Sequence, residues 1–244
     1  MIPRLKRLFH AGLQYMNTKY ISDEYIKWLT RANAGMLNSG NIYSMSLAIE
    51  NLPSASPVLE IGSLCGLSIN VISYLLSSRG KTNRIISCDK WLFEGAEKGG
   101  NLGSSQISHA KYREFVKAAF VRNVEFFSPD NKPYTIESTS DEFFILWEKG
   151  ETTHDIFGRN ITLGGKISFC YIDGNHTYEF AKRDFENVDR YIEPGGYVLF
   201  DDSSDMDYFG LTRLMKEIER NRNYKLVMKN PNYLFRKIIN LRHT

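Results

Sequence analysis

The run Pro57-Val58-Leu59-Glu60-Ile61-Gly62-Ser63-Leu64-Cys65-Gly66 constrains the fold more than any other stretch of the chain. It reads as a short buried strand that ends in an acid and turns through glycines into a helix over 67–76. Two later runs have the same shape: Tyr171-Ile172-Asp173-Gly174-Asn175-His176 and Tyr197-Val198-Leu199-Phe200-Asp201-Asp202. In open α/β sheets, ligands bind beyond the carboxyl ends of the strands, where the strand order reverses. Three acidic strand ends on one rim therefore predict an active site. Gly62 and Gly66 would let the backbone approach a ligand where a side chain would collide.

Residues 1–50 are predicted to be helical. Ser22-Asp23-Glu24 caps a segment with apolar Tyr25, Ile26 and Leu29, and a second amphipathic helix covers 44–52. Strands over 58–61, 84–89, 134–138, 167–172 and 197–200 alternate with helices over 67–76, 111–121, 143–147, 178–192 and 211–220. Ser140-Asp141-Glu142 is read as the cap of the helix over 143–147, and Pro194-Gly195-Gly196 as a helix stop. Such alternation argues for a parallel sheet with right-handed crossovers. Segments 225–228 and 233–237, joined by Lys229-Asn230-Pro231-Asn232, form a closing hairpin. The expected fold is α/β: a Rossmann-like doubly wound sheet, mostly parallel with an antiparallel C-terminal hairpin strand, and helices on both faces. A helical cap over 1–50 would precede the main domain over 51–244. The stretches 91–112, 148–165 and 203–210 are read as irregular segments that shape the substrate site.

A net charge of +3 from 31 basic and 28 acidic residues gives no clustered basic face, which argues against nucleic acid as a partner. No apolar run approaches the roughly 18 residues of a membrane span. The basic start (Arg4, Lys6, Arg7) is not followed by the apolar stretch of a signal peptide. Cys65, Cys88 and Cys170 fall in or beside core strands, an odd count without paired spacing. They read as free thiols in a reducing, cytoplasmic setting. The amphipathic N-terminal helices suit pairing between subunits of a homo-oligomer.

In order and spacing these pieces resemble the class I S-adenosylmethionine-dependent methyltransferases over roughly residues 44–237. Glu60-x-Gly62-x-x-x-Gly66 looks like their first motif, and Asp89 stands where that family places an acid on the ribose hydroxyls. The tight Gly-x-Gly-x-x-Gly of dehydrogenases is absent. Ile172-Asp173-Gly174-x-His176-x-Tyr178, with Asp184, Gly195-Gly196 and Asp201-Asp202, more narrowly resembles the metal-dependent macrocin-type O-methyltransferases of macrolide sugars and the cephalosporin-hydroxylase-like group. The family's acidic pair often begins with Glu; here it is Asp-Asp. The resemblance implies S-adenosylmethionine held by Glu60, Gly62, Ser63, Gly66, Asp89, Lys90, Ser140 and Asp173. It implies Mg²⁺ or another hard divalent cation on Asp173, Asp201 and Asp202. It also implies His176 as general base, acting with Asp173.

The chemistry agrees with that set. Methyl transfer from a sulfonium depends mainly on in-line approach of the acceptor. A hydroxyl is a poor nucleophile, which a Lewis-acid cation and a nearby base correct. The expected activity is thus metal-assisted O-methylation of a small molecule or glycoside. Two alternatives stand beside it: a metal-independent methyltransferase with His176 alone as base, and a non-catalytic nucleoside-binding module. Single residues have plainer readings too. Glu60 also suits a helix cap, Asp89 an ordinary strand end, and Asp201-Asp202 a solvated turn. Asp184 reads as a salt-bridge partner on a helix surface. His109 and His154 fall in the irregular segments, where they could contact substrate. Trp91, Phe93, Tyr208 and Phe209 suit a pocket wall or plain packing.

Overall fold

Four short apolar runs (58–61, 85–88, 167–172 and 197–200) are buried at every position, the pattern of strands covered on both faces. The computed structural model describes residues 18–93, 96–205 and 210–238. In chain order its elements are α1 (Glu24–Ala32), α2 (Ser39–Glu50), β1 (Val58–Ile61), α3 (Leu67–Ser78), β2 (Ile85–Cys88), α4 (His109–Phe127), β3 (Tyr134–Ile136) and α5 (Ser140–Lys149). They continue with β4 (Thr152–His154), β5 (Asn160–Thr162), β6 (Ile167–Ile172), α6 (Tyr178–Asp189), β7 (Ile192–Phe200), α7 (Leu211–Arg220), β8 (Tyr224–Lys229) and β9 (Tyr233–Lys237). The main sheet runs β3-β2-β1-β6-β7-β9-β8, parallel except for β9, which is antiparallel to both neighbours. The doubly wound sheet with its antiparallel hairpin is as the sequence predicts.

Strand order reverses between β1 and β6. That places the switch point, and the expected ligand crevice, at Glu60 and Asp173. Side chains alternate between two cores. Leu59, Ile61, Cys88, Cys170, Ile172 and Phe200 pack with Phe143, Trp147, Phe185 and Leu214 of α5, α6 and α7. Val58, Ile85, Phe169, Tyr171 and Leu199 pack with Leu29, Met45, Ile72 and Phe120 of α1 to α4. All three cysteines are free and buried, as expected. No described helix is long and apolar enough to cross a membrane.

Several sequence expectations are corrected. The cap of α5 is Thr139, not Ser140: its side chain accepts from the Glu142 backbone N–H while Glu142 reaches back, a capping box. α2 starts at Ser39, earlier than expected, because the Asn38 side chain accepts from Gly40 N. The segment 148–165 holds the hairpin β4–β5. Part of 91–112 is ordered as well, with a 3-10 turn at Ala96–Lys98, an Asn101–Ser108 bridge and the start of α4. Pro194-Gly195-Gly196 does not stop a helix. α6 ends at Asp189 and β7 runs straight through these residues. The register with β6 jumps from Ile167–Ile192 to Phe169–Tyr197, so the proline sits in a bulge where its missing N–H costs no ladder bond. The expectations for residues 1–17 and for Tyr208 and Phe209 lie outside the described residues.

Gly62 shows how tightly the switch point is built. Its φ is +85°, and a Cβ there would sit 2.1 Å from the carbonyl oxygen of Asp173. Gly62→Ala is expected to lower the melting temperature by several degrees, since both the left-handed backbone and the β1–β6 approach forbid the methyl group. An unchanged melting curve would show that the loop yields at no cost.

Candidate active site

The sheet itself lines up the acids. Ile61 pairs with Cys88 and with Ile172, and Ile172 pairs with Phe200, so Asp89, Gly62, Asp173 and Asp201 are the next residues in one row. The ladder bonds continue through this row. Asp89 N donates to Ile136 O (3.2 Å), Gly62 N to Cys88 O (3.0 Å), Asp173 N to Ile61 O (2.8 Å) and Asp201 N to Ile172 O (2.9 Å). By strand alternation Glu60, Asp89, Asp173 and Asp201 share the face that carries Tyr171 and Leu199, the side covered by α1 to α4.

On the β1–β2 side, Asp89 organises the glycine loop. Its Oδ2 accepts from Ser63 N (2.8 Å) and Leu64 N (3.0 Å), and its Oδ1 from Trp91 N (2.6 Å). Trp91 Nε1 returns a bond to Leu64 O (2.9 Å), and its ring packs on Phe120 in the core. Trp91 is therefore a buried strut and no pocket wall. Loss of water raises the Asp89 carboxyl, opposed by these three amides. Glu60 is fully buried: Oε2 accepts from Ser63 Oγ (2.7 Å), while Oε1 accepts no hydrogen bond among the described residues. Burial pushes its carboxyl up to about 8, against the pull of the Ser63 hydroxyl on Oε2. A buried acid with one open oxygen is a receptor for a cationic or hydrogen-bond-donating ligand.

Other residues expected at the cofactor have protein partners of their own. A Cβ on Gly66 would point at the Phe120 ring, 3.1 Å away. Lys90 Nζ binds both oxygens of Glu142 at 2.8 Å on the surface. Ser140 Oγ donates to Asp184 Oδ1.

Asp184 itself is corrected. It is buried at 4% exposure, not a surface ion-pair partner, and burial raises its carboxyl to about 6. Gly174 allows its approach, because a Cβ at 174 would lie 3.1 Å from Asp184 Oδ2. Ser140, Asp184 and Gly174 thus support the loop that leaves β6.

On the β6–β7 side, Asp173, Asp201, Asp202 and His176 come together. Asp173 and Asp201 follow the paired residues Ile172 and Phe200 and so stand side by side at the ends of β6 and β7. Loss of water and the Asp201 charge push Asp173 well above the usual carboxylate range. His176 Nε2 lies 3.9 Å from Asp173 Oδ1 and 3.8 Å from Asp202 Oδ2. Asp202 has a left-handed backbone (φ 45°) and about half of its side chain is exposed. Leu64 (φ 44°) and Trp91 (φ 49°) are similarly strained, so among the described residues all three non-glycine residues of this kind flank the strand-end acids. Strain of this sort concentrates at ligand sites. Among the described residues no group of three or more His, Cys, Asp or Glu side chains is arranged to hold a metal ion as it stands.

Sequence reasoning missed the residues behind Asp201. Asn41, Asn232 and Tyr171 are buried against it, and nothing in their local sequence announces partners this remote.

Comparisons with known proteins agree with this fold. No curated protein matches the chain in a sequence search. Among solved structures, the O-methyltransferase from Bacillus cereus in complex with S-adenosylhomocysteine is similar at TM-score 0.53 and 14% identity, covering 90% of this chain and 92% of that one. TomG, the O-methyltransferase of tomaymycin synthesis from Streptomyces achromogenes, has TM-score 0.55 and 10% identity, covering 94% and 95%. A TDP-rhamnose 3′-O-methyltransferase of calicheamicin biosynthesis has TM-score 0.54 and 15% identity, covering 95% and 93%. Identities this low speak to the fold. A model of the methyltransferase domain matches residues 59–203, a span that begins in β1 and takes in every acid of the rim. Its doubly wound sheet is the fold of these O-methyltransferases, and with more than half its length matched by the family model the chain belongs to that methyltransferase family.

Proposed function

We propose that this enzyme methylates a hydroxyl of a small molecule or glycoside. In this reading a hard divalent cation sits at Asp173, Asp201 and Asp202, and His176 is the base. The observation that carries it is the placing of Asp173 and Asp201 side by side at the ends of paired strands, with His176 Nε2 within 4 Å of Asp173 and Asp202. The donor chemistry fits such an ion: three carboxylates and no thiol select Mg²⁺ or its like. When bound, the cation would stabilise the forming alkoxide and orient the acceptor. The sulfonium donor supplies an electrophilic methyl carbon; as the acceptor oxygen bonds to it and the carbon–sulfur bond breaks, the hydroxyl proton passes to His176. Glu60 and Asp89 hold the donor on the other side of the switch point. The open Oε1 of Glu60 supports this placement, as do the three amides that preset Asp89.

The acceptor class is supported by the relatives named above, one acting on TDP-rhamnose and one serving tomaymycin synthesis. A second reading keeps His176 as base without a metal, and is favoured by the half-exposed side chain of Asp202. A non-catalytic nucleoside module would leave the Asp173–His176 set without work.

Calorimetric titration with S-adenosylhomocysteine, with and without Mg²⁺, tests donor and cation together. Heat of binding is expected in both conditions; none in either would remove the donor assignment. Asp201→Asn with Asp202→Asn is expected to keep S-adenosylhomocysteine affinity within about threefold while abolishing Mg²⁺-dependent turnover on a panel of nucleotide sugars and phenolic glycosides. Undiminished turnover would favour the metal-free reading.

A further inference from the structure

Behind the carboxylate rim lies a buried amide network that the proposed chemistry does not use. Asp201 Oδ1 accepts from Asn41 Nδ2 and from Asn232 Nδ2 (2.9 Å). The two amides are themselves fixed. Asn41 Nδ2 also reaches Tyr171 OH (3.3 Å), Asn232 Nδ2 donates to Asn41 Oδ1 (3.0 Å), and Asn232 Oδ1 accepts from Ser203 N (3.0 Å). Asn41 and Tyr171 have no solvent exposure, and Asn232 has 3%. Every donor and acceptor on the two side chains is spent, so neither amide can flip without setting its oxygen against the Asp201 carboxylate.

We infer that Asn41 of α2 and Asn232 of the β8–β9 turn are positioning residues for Asp201. They fill Oδ1 with two amide donors, which leaves Oδ2 to face a cation. This rests on the reading that Asp201 works at the reacting centre.

The network also explains why two distant parts of the chain dock on the rim. The Asn230 side chain accepts from Lys19 N (2.8 Å) and donates to Lys19 O (2.8 Å) and Gly40 O (3.1 Å). A Cβ at residue 40 would lie 1.7 Å from Asn230 O, so only glycine lets α2 seat this closely and bring Asn41 onto Asp201. The segment before β1 is therefore part of the site's framework as well as a cover.

The test uses the full-length protein with saturating S-adenosylhomocysteine and Mn²⁺ as a spectroscopic probe of the cation site. Wild type, Asn41→Leu, Asp201→Asn and the double variant are titrated with Mn²⁺ by electron paramagnetic resonance, and with S-adenosylhomocysteine by calorimetry. Leucine keeps the branched outline of Asn41 and removes its donors. Asn41→Leu is expected to weaken Mn²⁺ by about 10- to 100-fold, the usual effect of losing an outer partner of a ligand. S-adenosylhomocysteine affinity should stay within about twofold, and the double variant should bind Mn²⁺ no more weakly than Asp201→Asn alone. Unchanged Mn²⁺ affinity in Asn41→Leu, or fully additive losses in the double variant, would overturn the inference while leaving the metal reading intact. Absence of Mn²⁺ binding in the wild type would instead overturn the metal reading, and the inference with it. Should Asn41→Leu fail to bind S-adenosylhomocysteine, Asn41→Ser carries the same comparison with a smaller change.

Discussion

Glu60→Gln is expected to make the ligand-free protein more stable at pH 8 and, at the same time, a poorer binder of S-adenosylhomocysteine. The two effects have one cause. Glu60 is fully buried with one unsatisfied oxygen, and its carboxyl is pushed from 4.5 to about 8. Below pH 4.5 it is protonated in both the folded and the unfolded chain, and its contribution to stability is fully present. Between 4.5 and about 8 the unfolded chain loses the proton while the folded one keeps it. That contribution is therefore lost as pH rises through this window. Asp184, raised to about 6, acts with the same sign over a narrower range. The wild-type melting temperature should thus fall from pH 5 to pH 8. Glu60→Gln keeps the shape and never ionises, so its curve should be flatter and sit higher at pH 8, by an amount on the order of a few kcal/mol. The ligand reverses the balance: an ammonium or hydroxyl donor near Oε1 favours the carboxylate, which glutamine cannot supply. A loss of about tenfold or more in S-adenosylhomocysteine affinity follows. If the variant melts at or below wild type at pH 8, the buried charge is not the liability described. If affinity is unchanged, Glu60 faces no ligand.

Much of this site is legible in the sequence because a strand buried on both faces leaves a plain signature. Val58-Leu59-Glu60-Ile61 and Ile167 to Ile172 are apolar runs too short for helices, and the acids that end them stand out. Once strand order is known, register alone sets Asp89, Asp173 and Asp201 in a row. Bonds between distant parts are what the sequence hides. Asn41 lies in a helix buried nearly all round, so no amphipathic stripe marks its inner face, and Asp201 is 160 residues away. Asp184 misleads in the opposite way. The sequence of α6 is crowded with charges, yet Asp184 shares the inward stripe of Ala181, Phe185 and Val188, a spacing that marks it as buried. Pro194-Gly195-Gly196 misleads because the same residues that stop a helix also serve a bulge in a strand.

His176 is the base in both chemical readings, so its removal beside that of Asp201 separates them. In the loop that leaves β6, the Asn175 side chain accepts from Thr177 N (2.9 Å), an Asx turn that holds His176 between its two carboxylates. If His176 takes the acceptor's proton, His176→Ala lowers kcat by about 10²- to 10⁴-fold, since proton transfer by a placed base contributes that much. KM for the donor and S-adenosylhomocysteine affinity should stay near wild type, because Glu60 and Asp89 are on the other side of the switch point. Added imidazole should restore part of the rate in His176→Gly, where the vacated volume admits it; a purely structural histidine would not be replaced in this way. The measurement is S-adenosylhomocysteine release with nucleotide sugars and phenolic glycosides as acceptors, across Mg²⁺ concentrations. A small loss in His176→Ala beside a large one in Asp201→Asn would mean that the cation alone makes the alkoxide and that solvent takes the proton. A large loss in His176→Ala beside none in Asp201→Asn would leave imidazole as the only activating group. Comparable losses in both, with the double variant no worse than either, is the outcome expected of one unit, since groups that act on a single transition state are not additive when removed.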